Sequence, residues 1–415
     1  MHRNAVNSIS QRDRRRLNSN HGVTFEVTTL GKGKNEKNEK GGHVMKKITA
    51  ILLSIVMVFT MTACAGNNAP STNGEAAATD AAEDSSGQEA TLSSGNEDIQ
   101  IVFSTYALLS PFFVAAAYGY MNECNNLGIK PMLMEAGNNM QRQIDQIDNA
   151  ITKGADAIII IPYDSDGLSV AVEACNNAGI PVFAIDRTIT GGQTTTVLQS
   201  DNVACGRKVA EEFLVQFKER GLTDVKLIQI RGQLGSSPSR DRDQGFWEVI
   251  NAQDEITVTK VAESAADWES GPAEEQTLAH LTANTDADAI FYEADCMQPG
   301  VFAAMEQLGL VLPQSDPNHI VNGGVDGSAF ALEQIRAGTM DVCVSQMPLS
   351  QGIVATYLAL HAEKFQGAAD LPPQILFDAQ GVTPANYESY GGTLWGDMPI
   401  GGSEIPDDLK AILMQ

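Results

Sequence analysis

The sequence predicts a doubly wound α/β protein with parallel sheets, and three observations carry that expectation. Short runs rich in Val and Ile alternate with longer helical patterns. The runs are continuously apolar instead of alternating, which marks strands buried on both faces. About 310 residues follow a polar stretch ending near residue 97, enough for two lobes and more than a single core usually serves.

Taken in order, the apolar runs fall at 99–104, 157–161, 181–185, 226–230, 289–292 and 320–325. In sheets of this kind a ligand sits outside the carboxyl ends of the strands. The residues standing there are Ser110-Pro111-Phe112-Phe113, Tyr163-Asp164, Asp186-Arg187, a Gly/Ser-rich loop closing on Arg242-Asp243-Gln244-Gly245-Phe246, and Asp326-Gly327. Trp268 lies between helical segments of the later half. Carboxylates and guanidiniums make strong hydrogen bonds to hydroxyls, and aromatic faces cover the C–H patches of a sugar ring. No nucleophile stands beside a base, so the set suits binding and not catalysis. Arg240 and Arg242 are both candidates to turn inward.

No cofactor or metal is expected. His280, His319 and His361 lack metal spacing, and Gly191-Gly192 and Gly323-Gly324 have neither phosphate-loop form. Cys124, Cys175, Cys205, Cys296 and Cys343 are scattered and odd in number, which reads as buried free thiols.

Ahead of the folded part, Lys46 and Lys47 precede an apolar run over 48–61 and then Thr62-Ala63-Cys64-Ala65-Gly66. That run is shorter than the ~20 apolar residues of a spanning helix, and its basic flank and small residues mark a signal peptide over 45–63. Cys64 resembles the lipid-acceptor cysteine of bacterial lipoproteins, although Met61 stands where that motif usually has Leu. The resemblance implies diacylglycerol on its thiol and a membrane contact through lipid alone. Residues 1–44, with four Arg between Arg12 and Arg16, do not fit a secretory N-terminus, and Met45 is the expected start. Residues 64–97 form an expected flexible stalk of small and polar residues. The chain has 27 basic and 52 acidic residues, a charge of -25. Such a surface repels nucleic acid.

From about residue 99 to 382 the chain resembles the type I periplasmic binding proteins of the ribose- and galactose-binding group. Ser110-Pro111-Phe112-Phe113, Gly179 to Arg187 with Ser200-Asp201-Asn202, Arg242 to Phe246 and Val325-Asp326-Gly327 carry the resemblance by order and spacing. It implies two Rossmann-like lobes joined by a three-crossover hinge, 98–200 plus 347–376 and 201–346 plus 377–415, closing on a monosaccharide for an ABC permease. It further implies that Phe112 and Phe113 stack on the sugar opposite Trp268, and that Asp186, Arg187, Arg242, Asp326 and Gln346 bind hydroxyls. Two positions depart from the ribose-binding pattern, which has Asn where Ile161 and Ala294 stand here. The expected ligand is therefore not ribose held in the ribose-binding manner, with Tyr163, Asp164 or Glu293 as replacement contacts. The same fold resembles receptors for sugars and autoinducer-2, an alternative role. The expected location is the outer face of the cytoplasmic membrane of a Gram-positive cell, or the periplasm where an outer membrane exists.

Overall fold

The computed structural model describes residues 13–18, 24–29, 96, 98–362, 371–402 and 407–413. The expected signal peptide, Cys64 and nearly all of the expected stalk lie outside the described residues. Strand order is set by two sheets. In the first, strands run β1 (Asp13–Asn18), β2 (Thr24–Thr29), β13 (Gln374–Phe377), β7 (Thr196–Ser200), β6 (Val182–Ile185), β5 (Ala157–Ile161), β3 (Ile101–Thr105) and β4 (Met132–Glu135). In the second they run β14 (Gln380–Val382), β12 (Val342–Ser345), β11 (Val321–Asp326), β10 (Ala289–Tyr292), β8 (Asp224–Arg231) and β9 (Thr257–Ala265).

Pairing is parallel except at one edge of each sheet. There β14 runs antiparallel to β12, and β1 and β2 form a hairpin whose second strand pairs antiparallel with β13. That hairpin falls within residues 1–44, and its contact with β13 spans two register pairs.

Strand periodicity sorts the core. Phe103, Ile159 and Phe183 enter one apolar cluster, while Val102, Ile158, Ile160 and Ala184 enter another on the opposite face. The second sheet divides likewise, Ile228, Ile230 and Tyr292 against Leu227, Ala289 and Phe291. A side-chain period of two makes each central strand supply both layers, which is why these runs read as unbroken apolar stretches. Each fully buried Ile or Phe contributes about 1.5–3 kcal/mol.

The chain crosses between lobes after β7, after β12 and between β13 and β14. Helix Asn202–Glu219, following β7, packs on helix Ser237–Ile250 of the second lobe, and helix Pro348–Leu360, following β12, packs on helix Pro111–Leu127 of the first. The segment expected to remain with the second lobe beyond residue 376 does not do so throughout. Strand β13 reaches Phe377 in the first sheet, and Trp395, Ile400 and Leu409 enter the first-lobe core. These apolar side chains bury on whichever lobe has room for them, and here that is the first.

Candidate ligand-binding site

A cavity lies between the lobes. It is lined by Ser110, Phe112, Phe113, Asp186 and Arg187 from the first and Pro238, Arg242, Trp268, Ala294, Cys296 and Asp326 from the second. Backbone geometry explains how several of these side chains converge. Asp186, Trp268 and Asp326 have φ of 71°, 66° and 132°, and among the described residues they are three of the five other than glycine with positive φ. Such strain costs about 1–3 kcal/mol per residue and persists where the surroundings enforce it. At Asp186 the Arg187 amide donates to the Ile185 carbonyl, a γ-turn. The turn breaks strand alternation, so two consecutive side chains line the same cavity. Trp268 lies across Gly232, where a Cβ would enter its ring.

The polar groups form two acid–base pairs, one from each lobe. Arg187 donates from Nε to Asp186 Oδ2 at 3.0 Å, from Nη1 to the Tyr163 carbonyl at 3.1 Å and from Nη2 to Tyr106 Oη at 3.3 Å. Its guanidinium lies 5.0 Å from the Tyr106 ring centroid and 5.9 Å from that of Phe113. Arg242 donates to Asn202 Oδ1 at 2.9 Å and to the Glu293 carbonyl at 2.6 Å, and pairs with Asp326 at 3.5 Å. Both arginines are 2% exposed, and Arg240 instead lies on the surface with Nη1 donating to the Leu234 carbonyl, which decides between the two candidates. Burial pushes the Asp326 carboxyl well above the usual carboxylate range, Arg242 pulls it back, and buried Asp295 and Asp186 push it further up.

Seven sequence-predicted residues meet at this cavity, and four do not line it. Gln346 donates to Asp326 Oδ1 from behind. Tyr163 reaches the site only through its carbonyl, its ring packing edge-on against Tyr106. Asp164 is consumed by its own turn, accepting from the amides of Asp166 and Gly167. Glu293 is fully buried behind the cavity, accepting from Ser239 Oγ, the Gly232 amide and Arg231 Nε. Asp326 does not cap the helix that follows it, since Ser328 does. Residues the sequence did not single out for a role are Tyr106 and Asn202, which orient the two arginines, together with Gly232 and Cys296. Gly232 and Tyr106 could both have been found from their places directly after β8 and β3.

Trp268 Nε1 and Gln346 Oε1 are buried without a protein partner. Buried polar atoms are nearly always satisfied, and of these two residues Trp268 lines the cavity, so its open N–H fits a hydroxylated occupant or water there. Among the described residues no group of three or more His, Cys, Asp or Glu side chains could hold a metal ion. Cys296 faces the cavity as a thiol, burial pushing its pKa up.

A two-lobed clamp with a polar and aromatic cleft defines a solute-binding protein. The chain matches the periplasmic binding protein domain over residues 101–367 and belongs to that family, whose members bind solutes outside the cytoplasm and are not enzymes. It is 28% identical to the ribose import binding protein of Bacillus subtilis over 331 residues, 79% of this chain and 98% of the relative. The myo-inositol binding protein of Caulobacter, solved with myo-inositol, matches with a TM-score of 0.62 and 28% identity, covering 70% of this chain and 95% of that one. A solute-binding protein of Actinobacillus succinogenes, solved with D-allose, shares the fold with a TM-score of 0.63 at 24% identity, covering 70% of this chain and all 100% of that one.

Proposed function

We propose that this chain captures a monosaccharide or cyclic polyol between its lobes and delivers it to an ABC permease, held at the membrane by lipid on Cys64. One observation carries the ligand class. Aromatic rings from both lobes and one Asp–Arg pair from each lobe line a single cavity. Each pair sets a carboxyl beside a guanidinium, and both guanidiniums offer charge-assisted hydrogen bonds to hydroxyls. Ala294 and Cys296 leave part of the wall without strong donors, so the preferred ligand presents C–H there. Relatives described as binding ribose, myo-inositol and D-allose support the same class.

The test is a thermal-shift panel of pentoses, hexoses, deoxysugars and cyclitols on the purified protein. A ligand at ~100 times its Kd should stabilise by ~2.7 kcal/mol. A panel in which only amino acids or nucleosides shift the melt would sink the reading.

A further inference from the structure

The described residues beyond Thr383 join neither sheet, yet they pass under the ligand cavity. The segment leaves the second lobe with Tyr390 Oη donating to the Gly381 carbonyl and Leu394 in the second-lobe core. Trp395 then buries to 4% exposure in the first-lobe core, followed there by Ile400 and Leu409. At the crossing point Trp395 Nε1 donates to the Asp326 carbonyl at 2.7 Å. The next residue, Gly396, lies so close to the Gly327 carbonyl that a Cβ could not be added.

Asp326 is the residue most in need of such support. Its φ of 132° lies where side-chain-bearing residues rarely go, and its carbonyl, at the last register pair of β11 with β12, accepts from the Gln346 amide at 2.9 Å. The Trp395 N–H is the second donor on that carbonyl, and it ties a strained peptide to a side chain from outside the sheet. We infer that Trp395 is a positioning residue for ligand capture: its indole N–H fixes the Asp326 peptide, and through it the carboxylate facing the cavity, while its ring anchors that peptide to the opposite lobe. The segment is thus a fourth link between the lobes, joined to the hinge at a residue that lines the cavity. This inference rests on the cleft being the ligand site.

The test separates positioning from mere packing. Trp395→Phe keeps an aromatic ring in the first-lobe core and deletes the N–H. In the sugar-free full chain, amide exchange at Gly327 and Ser328 should speed about fivefold, the factor an ordinary hydrogen bond supplies. Leu409→Ala, at the far end of the segment, should lower Tm and leave those two amides at the wild-type rate. Should Trp395→Phe fail to fold, Gly396→Ala presses on the Gly327 carbonyl and must speed the same amides. Wild-type exchange in the Trp395→Phe protein, or equal acceleration in Leu409→Ala, overturns the assignment. Calorimetric titration with D-allose, D-ribose and myo-inositol supplies the second arm: any of the three that binds wild type should bind Trp395→Phe about fivefold more weakly, and unchanged affinity also overturns it. If none titrates with wild type, the polyol reading is what has failed, and the exchange result stands by itself.

Discussion

Arg242 shows how much one side chain carries at the site. It holds Asn202, the Glu293 carbonyl and Asp326 together with almost no exposure to water. Replacing one partner of a buried pair leaves the other charge uncompensated, so Arg242→Met should cost about 3–5 kcal/mol in urea denaturation and abolish sugar binding. Adding Asp326→Asn should recover part of the stability and none of the binding. Glu293 poses a different problem. Burial pushes its pKa up to about 7, against the pull of Ser239, Arg231 and the Gly232 amide. A carboxyl whose folded pKa is raised keeps its proton longer in the folded state than in the unfolded one. Stability from this group is therefore highest below the unfolded carboxyl range, falls as pH rises, and levels off above about 7. The Tm of the sugar-free protein should drop between pH 5 and 8, and Glu293→Gln should flatten that slope; an equal slope in the variant would exclude Glu293 as its source.

At the scale of elements, each lobe contains a helix pair in close backbone contact through two glycines, one on each helix. Gly119 meets the Leu349 carbonyl and Gly352 the Ala116 carbonyl in the first lobe; Gly206 meets the Arg242 carbonyl and Gly245 the Val203 carbonyl in the second. Adding one methyl at Gly245 must push apart helices Asn202–Glu219 and Ser237–Ile250, which carry Asn202 and Arg242. Gly245→Ala should therefore cost about 1–3 kcal/mol in stability and also weaken sugar binding, read by denaturation and titration on one preparation. The central strands were legible in the sequence because residues such as Ile158 to Ile161 are buried on both faces, and an unbroken apolar run follows from that. Edge strands were not. β9 alternates exposed and half-buried positions, and β4 is half-buried throughout, so neither stands out from a loop by composition. The site was legible where the sequence placed charged or aromatic residues directly after a buried strand, as at Asp186-Arg187 and Asp326. It failed at Asp164 and Glu293, because position after a strand does not determine which way a side chain turns: a local turn captured one, and Ser239, Gly232 and Arg231 captured the other.

Across the whole molecule, the structure holds the lobes together by contacts that require closure. Arg187 Nη1 reaches Gln233 Oε1 at 3.4 Å, the Thr188 amide donates to Ser237 Oγ at 3.1 Å, and the Ser237 amide donates to Ser165 Oγ at 3.3 Å. These are few and long, and the bonds of Gln233 and Thr188 are only partly shielded from water, while that between Ser237 and Ser165 is buried. Net hydrogen bonds of this kind contribute about 0.5–1.5 kcal/mol each, too little to secure closure against the freedom of a three-crossover hinge. The remaining closing energy must come from a ligand that touches both lobes, because only differential affinity for the closed form shifts the equilibrium. Small-angle scattering should then show the sugar-free protein as more extended, and saturation with the sugar found by the thermal-shift panel should reduce its radius of gyration. Ser237→Ala removes one such bond at no cost to the cavity lining, so it should weaken affinity by less than about tenfold and act on the dissociation rate. A radius unchanged by saturating sugar would mean that the lobes stay closed without it, and the ligand would then have to enter by a route other than hinge opening.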